Sequence, residues 1–159
     1  MGGVVRFSEA SSIALHAMVI LAGAPQGRTT AQAIADRLPV SAHHLAKVMQ
    51  RLVRAGLVQS VRGPGGGFAL AADPRRTTLL DVHEAIEGKL EVSACLFDEP
   101  QCCGACLLGD TLAEANQLVH ARLARTRLAD LVDLFAPAAR PGGLVALGRG
   151  APRPARRRR

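Results

Sequence analysis

No apolar run in this chain reaches the roughly 18 residues that a membrane-spanning helix requires. The strongest candidate, IALHAMVILAGA, stops short and carries His16. No basic segment leading into an apolar stretch and a cleavage site opens the sequence, so no signal peptide is expected. Both absences point to a cytoplasmic protein with no membrane partner. Cysteine is missing from all but one stretch: Cys95, Cys102, Cys103 and Cys106 all lie in CLFDEPQCCGAC. In a reducing compartment a disulfide framework is the lesser use of such thiols. The chain also lacks a Ser/His/Asp set, a cofactor fingerprint and any substrate-pocket signal. It is therefore expected not to be an enzyme. No internal repeat is seen.

Acids are missing from one region entirely. From Pro137 onward there are seven arginines and no Asp or Glu. They account for the whole net charge of +7, because residues 1–136 carry 13 basic and 13 acidic groups. That neutral body is segregated. Residues 28–76 hold eight Lys/Arg against two acids, and residues 77–116 hold one Lys against eight acids. One half suits a polyanion and the other does not. The Pro/Gly/Arg-rich residues 137–159 read as a disordered basic tail that any polyanion would attract.

What is present reads in order. Ser8 caps a helix of about four turns with Ile13, Ala17 and Leu21 on one face, ending before Pro25. Thr29 or Thr30 starts a second helix with Ala33, Ile34 and Leu38 on its stripe, closed at Leu38 by Pro39. Ser41 caps a third, with Leu45, Val48, Met49 and Leu52 inward and Gly56 at its C′ position. The short turn between the last two makes a helix-turn-helix. LVQSV (57–61) and FALA (68–71) flank the glycine-rich tip RGPGGG as a hairpin. Thr78 caps a helix ending at Gly88, and Thr111-Leu-Ala-Glu114 reads as a capping box opening a long helix. Leu112, Ala115, Val119 and Leu123 share one side of it, and Thr126 reads as a restart. The expected fold is mainly α: a winged helix-turn-helix (residues 1–88) with a two-stranded wing, a cysteine-rich loop (89–109), a C-terminal dimerisation helix (110–136) and the tail (137–159).

In a helix-turn-helix the second helix enters the major groove with its N-terminal residues at base edges. Here those are Ser41, Ala42, His43, His44 and Ala46, with Lys47, Arg51 and Arg54 suited to phosphates. His43 and His44 can bond base acceptors, whereas Ala46 can only meet an apolar group such as a thymine methyl. Arg62, at the base of the wing, suits a narrow minor groove. A winged helix used for protein contacts is the plainer reading of the same residues. A phosphate loop is disfavoured, because no Lys-Ser/Thr follows the glycines.

Thiolates bind soft metals, and four within twelve residues could hold zinc or an iron–sulfur cluster. Cys103-Gly-Ala-Cys106 alone leaves zinc, cluster and redox dithiol open. Cys102 and Cys103 are adjacent, so their side chains diverge; three cysteines with one other ligand fit better than four. Structural zinc normally closes with four good ligands, whereas a weak fourth suits a cluster that must react or be lost.

LAKVMQRLVRAGLVQSVRGPGGGFALAADP, followed by a helix, a cysteine cluster and TRLADL, resembles the IscR/NsrR/RirA-type iron–sulfur winged-helix repressors over residues 6–135. That resemblance implies a homodimer on palindromic promoter DNA. It also implies a [2Fe–2S] or [4Fe–4S] cluster on three cysteines, whose state sets affinity in response to iron, nitric oxide or redox stress. By position Cys95 matches the first ligand, Cys102 (or Cys103) the second and Cys106 the third. The gap before Cys106 is shorter than is common in the family, and Gly109 stands where some members have a ligating His. Others draw the fourth ligand from the partner's first helix, where Ser12 replaces an acid and His16 is the candidate. A packed core position is the alternative for His16, and His83 and His120 read as surface or interface residues. Two rival functions remain: a cluster-free thiol/disulfide sensor on the same fold, and a small electron-transfer protein that would leave the helix-turn-helix unexplained.

Overall fold

The computed structural model describes residues 7–24, 27–63, 66–90, 95, 102 and 107–135. The first helix, α1 (Glu9–Ala22), is capped by Ser8, whose side chain accepts from the Ser11 backbone N–H. It is apolar on most sides, and Ile13, Ala14, Ala17, Met18, Val19, Ile20 and Leu21 are all buried. A helix buried on most of its sides sits near the centre of its domain. Accordingly α1 packs against α3 (Ala42–Arg54), α4 (Leu79–Glu87) and a C-terminal 3-10 segment, Leu128–Phe135. The last approach is close. A Cβ on Gly23, just past α1, would stand 2.6 Å from the Val132 carbonyl oxygen.

The helix-turn-helix forms as expected, with one shift. Thr30 caps α2 (Ala31–Ala35) by accepting from the Ala33 N–H at 3.1 Å. Regular α2 ends three residues before Leu38: the Arg37 and Leu38 N–H groups reach back only to Ile34 and Ala35. The chain tightens into 3-10 turns because Pro39 disfavours α geometry at the residue before it. Ser41 then caps α3 by accepting from the His44 N–H. At the other end Gly56 (φ +74°) donates to Val53 and Leu57 donates to Leu52, the paired bonds of a Schellman motif.

The wing hairpin is β2 (Val58–Val61) and β3 (Gly67–Leu70), antiparallel, with Gln59 opposite Ala69. A third short strand, β1 (Arg28–Thr29), joins the far side of β3, so the sheet has order β1-β3-β2 rather than two strands alone. It ties the segment before α2 to the wing. Thr78 and Asp81 form a reciprocal capping box at α4.

The last helix, α5 (Thr111–Arg125), departs from expectation at both ends. Its N-cap is Asp110, with no side-chain cap bond, so Thr111-x-x-Glu114 forms no capping box. A turn over Leu107–Asp110 leads straight into the helix, which puts Thr111 inside its first turn. Thr126 ends α5 instead of starting a new helix, since its hydroxyl donates back to the Arg122 carbonyl at 2.8 Å. The following segment is instead held by Asp130, which accepts from the Arg127 N–H, and by Leu128 N–H to the Thr77 carbonyl. Leu112 and Leu123 are buried on α5, Asn116 is buried between them, and Leu118 is 69% exposed.

Candidate nucleic-acid interface

On α3 the burial follows the helical period. Leu45, Val48, Met49 and Leu52 face the core. Ser41, Ala42, His43, Lys47, Gln50, Arg51 and Arg54 are exposed, and His44 and Ala46 are half-buried. The stripe His43, Lys47, Gln50, Arg54 runs the length of the outer face. Gln50 is not among the residues expected from sequence, although its spacing of seven from His43 is signal enough. Arg62 is exposed at the foot of the wing. Between helix and wing lies an open crease of about 350 Å³, lined by Ala46, Gln50, Val53 and Arg54 of α3 and by Ser60 and Phe68 of the sheet. A basic helix and a wing flanking one crease present an outer face that a duplex groove can receive.

Besides Ser41, whose side chain caps α3, Arg51 and His44 of the expected set have side-chain partners among the described residues. Arg51 donates to the Ile86 carbonyl near the end of α4, where a cation meets the negative end of the helix dipole. His44 Nδ1 lies 3.5 Å from a Glu9 carboxylate oxygen of α1. Both contacts brace α3 against its neighbours.

His16 is exposed, so it is not a packed core histidine. Its Nδ1 lies 2.7 Å from the Ser12 carbonyl, which can only accept, so Nδ1 carries the proton. In the neutral ring Nε2 is then the lone-pair nitrogen. His16 lines a second cavity, about 260 Å³, with Glu9, Ser12, Ile13, Leu38, Pro39 and Val40. His83, read as a surface or interface residue, is instead 2% exposed and sits 2.8 Å from the Ser11 hydroxyl, between α4 and α1. Phe7 meets its ring edge-on.

Of the thiols, Cys95 is half-buried and Cys102 is exposed, while Cys103 and Cys106 lie outside the described residues. Among the described residues no cluster of three His, Cys, Asp or Glu side chains could hold a metal ion, and no helix is long and apolar enough to cross a membrane.

Similarity to known proteins agrees with this geometry. The chain is 46% identical over 83 residues to BadM, a helix-turn-helix-type transcriptional regulator of Rhodopseudomonas palustris; the match spans 52% of this chain and about half (53%) of BadM. A regulator of the same type from Neisseria meningitidis serogroup A is 32% identical over 131 residues, covering 81% of this chain and 88% of that one. Among solved structures, CymR, the global cysteine regulator of Bacillus subtilis, superposes with a TM-score of 0.69 at 28% identity, over 82% of this chain and 98% of CymR. IscR of T. potens superposes with a TM-score of 0.65 at 27% identity, over 87% and 94% of the two chains. Residues 7–134 match the Rrf2 family model, described as an iron-dependent transcriptional regulator. A winged helix-turn-helix with a basic outer face on α3, matched over most of its length, this chain belongs to the Rrf2 family of transcriptional regulators.

Proposed function

We propose that this regulator works as a homodimer on palindromic promoter DNA, and that an iron–sulfur cluster sets its operator affinity. The carrying observation is the confinement of all four thiols to the connection between α4 and α5. The donor set fits the group: three thiolates from Cys95, Cys102 or Cys103, and Cys106 are soft ligands for iron. When bound, the cluster supplies a redox-labile, iron-dependent centre whose charge and occupancy change with conditions. His16 is the candidate fourth ligand, offered by the partner subunit, with the Ser12 carbonyl accepting from Nδ1 and so fixing its tautomer.

The chain's own residues supply the rest. Leu118 on α5 and Leu107 just before it, 69% and 85% exposed, are apolar surface that pairing across a two-fold would cover. Such pairing spaces two reading helices about 34 Å apart, one helical turn of DNA. Because α5 packs on α4, and Arg51 holds α3 to the end of α4, a ligand held between α4 and α5 bears on α3. A coupling of about 2–3 kcal/mol changes affinity roughly 30- to 150-fold.

Gel-shifts at fixed salt with cluster-loaded and chelator-stripped protein test this, and the two preparations are expected to differ by that factor. Equal affinities would remove the switch. An iron-free preparation that responds to oxidation with loss of two thiols would replace it with the cluster-free sensor.

Gln50 is exposed on the outer face of α3, and its amide is the type of group that pairs with the N6/N7 edge of an adenine. Gln50→Ala is expected to lose about 1–3 kcal/mol of discrimination at one base pair per half-site. Selection of binding sites from a randomised pool checks it: one position should lose its preference while the others keep theirs.

A further inference from the structure

The N-terminal end of α3 carries Ser41, Ala42, His43 and His44, and Leu45 is the first residue of that helix to enter the core. The aim of this end therefore depends on the turn before it, which packing holds loosely. Leu38 and Val40 are half-buried and Pro39 is exposed. On the side of α1 these three border an open cavity of about 260 Å³, with Ile13 and His16 on its opposite wall.

One aromatic ring ties the two elements together. Phe135, at the end of the Leu128–Phe135 segment, accepts at its carbonyl oxygen from the Arg37 guanidinium, which also lies 5.5 Å over its ring. A planar cation can donate and stack at once, which a point charge cannot. His16 of α1 meets the same ring edge-on at 5.9 Å. The segment that carries the ring is itself seated: Leu128 is buried, and the Val132 carbonyl closely approaches Gly23 just past α1. Arg37 follows α2 and stands four residues before the Ser41 cap of α3.

From this geometry we infer that Phe135 is a positioning residue for DNA recognition, acting through Arg37 to hold the turn between α2 and α3 at a fixed place on α1. Base-edge hydrogen bonds are short and directional, so a small pivot of the N-terminal end of α3 loses them. Attraction to phosphates acts over a Debye length and tolerates the same pivot. The ring therefore contributes to sequence-specific affinity, not to affinity for duplex DNA in general. The inference rests on α3 being the helix that enters the groove, as proposed above, and does not involve the cluster.

The test uses the full chain, stripped with chelator so that all preparations have equal metal content. Two duplexes serve as probes: one selected by the wild-type protein from a randomised pool, and a scramble of the same composition. Fluorescence anisotropy at fixed salt gives both affinities. Phe135→Leu is expected to weaken binding to the selected duplex at least about 5-fold. Because no charge changes, its binding to the scramble should stay within about 2-fold of wild type. Phe135→Tyr keeps the ring and should bind as wild type does. Arg37→Lys keeps the charge but loses the flat stacking group, and should match Phe135→Leu. Arg37 is exposed, so this variant folds even where Phe135→Leu does not. The double variant should be no weaker than either single one, since both remove the same contact.

Unchanged affinity of Phe135→Leu or Arg37→Lys for the selected duplex would overturn the inference. So would equal losses on both duplexes, a Phe135→Tyr as weak as Phe135→Leu, or losses that multiply in the double variant. Gln50→Ala, measured alongside, separates the two possible failures. Loss there without loss in Phe135→Leu removes only the positioning role, whereas no loss in either removes the assignment of α3 as well.

Discussion

Cys95→Ala is expected to abolish iron and sulfide binding and all absorbance beyond 400 nm, while far-UV circular dichroism stays native. The thiol is one of three proposed anchors, and a cluster held by two protein thiolates loses its charge-assisted grip. Helix content should survive, because the described helices are stabilised elsewhere. Leu112 and Leu123 seat α5, Val82 and Ile86 seat α4, and Leu128 docks the segment after it. Operator affinity of the variant should equal that of chelator-stripped wild type, some 30- to 150-fold from the loaded protein. Cys102→Ala and Cys103→Ala refine the result. Adjacent side chains diverge along a backbone, so one variant should behave like Cys95→Ala and the other should keep its colour. Elemental analysis and visible spectra of oxygen-free preparations check all three. Retention of stoichiometric iron by Cys95→Ala would remove the thiol from the site.

Local chemistry explains why so much of this fold could be read from the sequence. Ser8, Thr30, Ser41 and Thr78 each precede an apolar periodic stretch, and each caps the helix it precedes. A cap is an interaction over three residues, so sequence spacing contains it. Gly56 ends α3 for the same reason. Where local signals compete, spacing misleads. Thr111 and Glu114 have the pattern of a capping box, but the preceding turn makes Asp110 the cap residue, and Thr126 bonds backward rather than forward. What sequence could not supply is the meeting of distant segments. β1 is two residues long and exists only because β3 lies beside it. His83 reads as a surface residue until the Ser11 hydroxyl, 72 positions away, is seen to satisfy it inside the core. The same holds for the site: the stripe on α3 follows from a period, whereas Arg51 on α4, Glu9 beside His44 and Phe135 on Arg37 needed the fold. The choice between Cys102 and Cys103 lies outside what the described residues show, because Cys103 and Cys106 are not among them.

Gly67→Ala is expected to be strongly destabilising, and its cause is not backbone torsion. A Cβ at this position would stand 2.3 Å from the Thr29 carbonyl oxygen, 2.9 Å from its carbon and 3.0 Å from the Thr30 Cα. All three are backbone atoms, so no side chain can rotate away. The strand pair itself must open, which places the cost at about 2–3 kcal/mol and the melting temperature roughly 5–10 °C lower. Gly27 offers the contrast: its φ of +66° penalises a side chain, but nothing lies within 4 Å of the added atom. Gly27→Ala should therefore lose only about 1 kcal/mol, through strain in the left-handed region. The damage at Gly67 also travels. Thr29 pairs with Phe68, and Thr30 caps α2, so moving β1 outward displaces the first helix of the DNA-reading pair and the floor of the crease beside α3. Operator affinity should fall with stability even at temperatures where the variant is folded. Thermal unfolding and anisotropy on the same preparations separate the two effects. A melting temperature for Gly67→Ala as high as that of Gly27→Ala would show that the sheet yields at this point, and that β1 does not hold the wing to the helix-turn-helix.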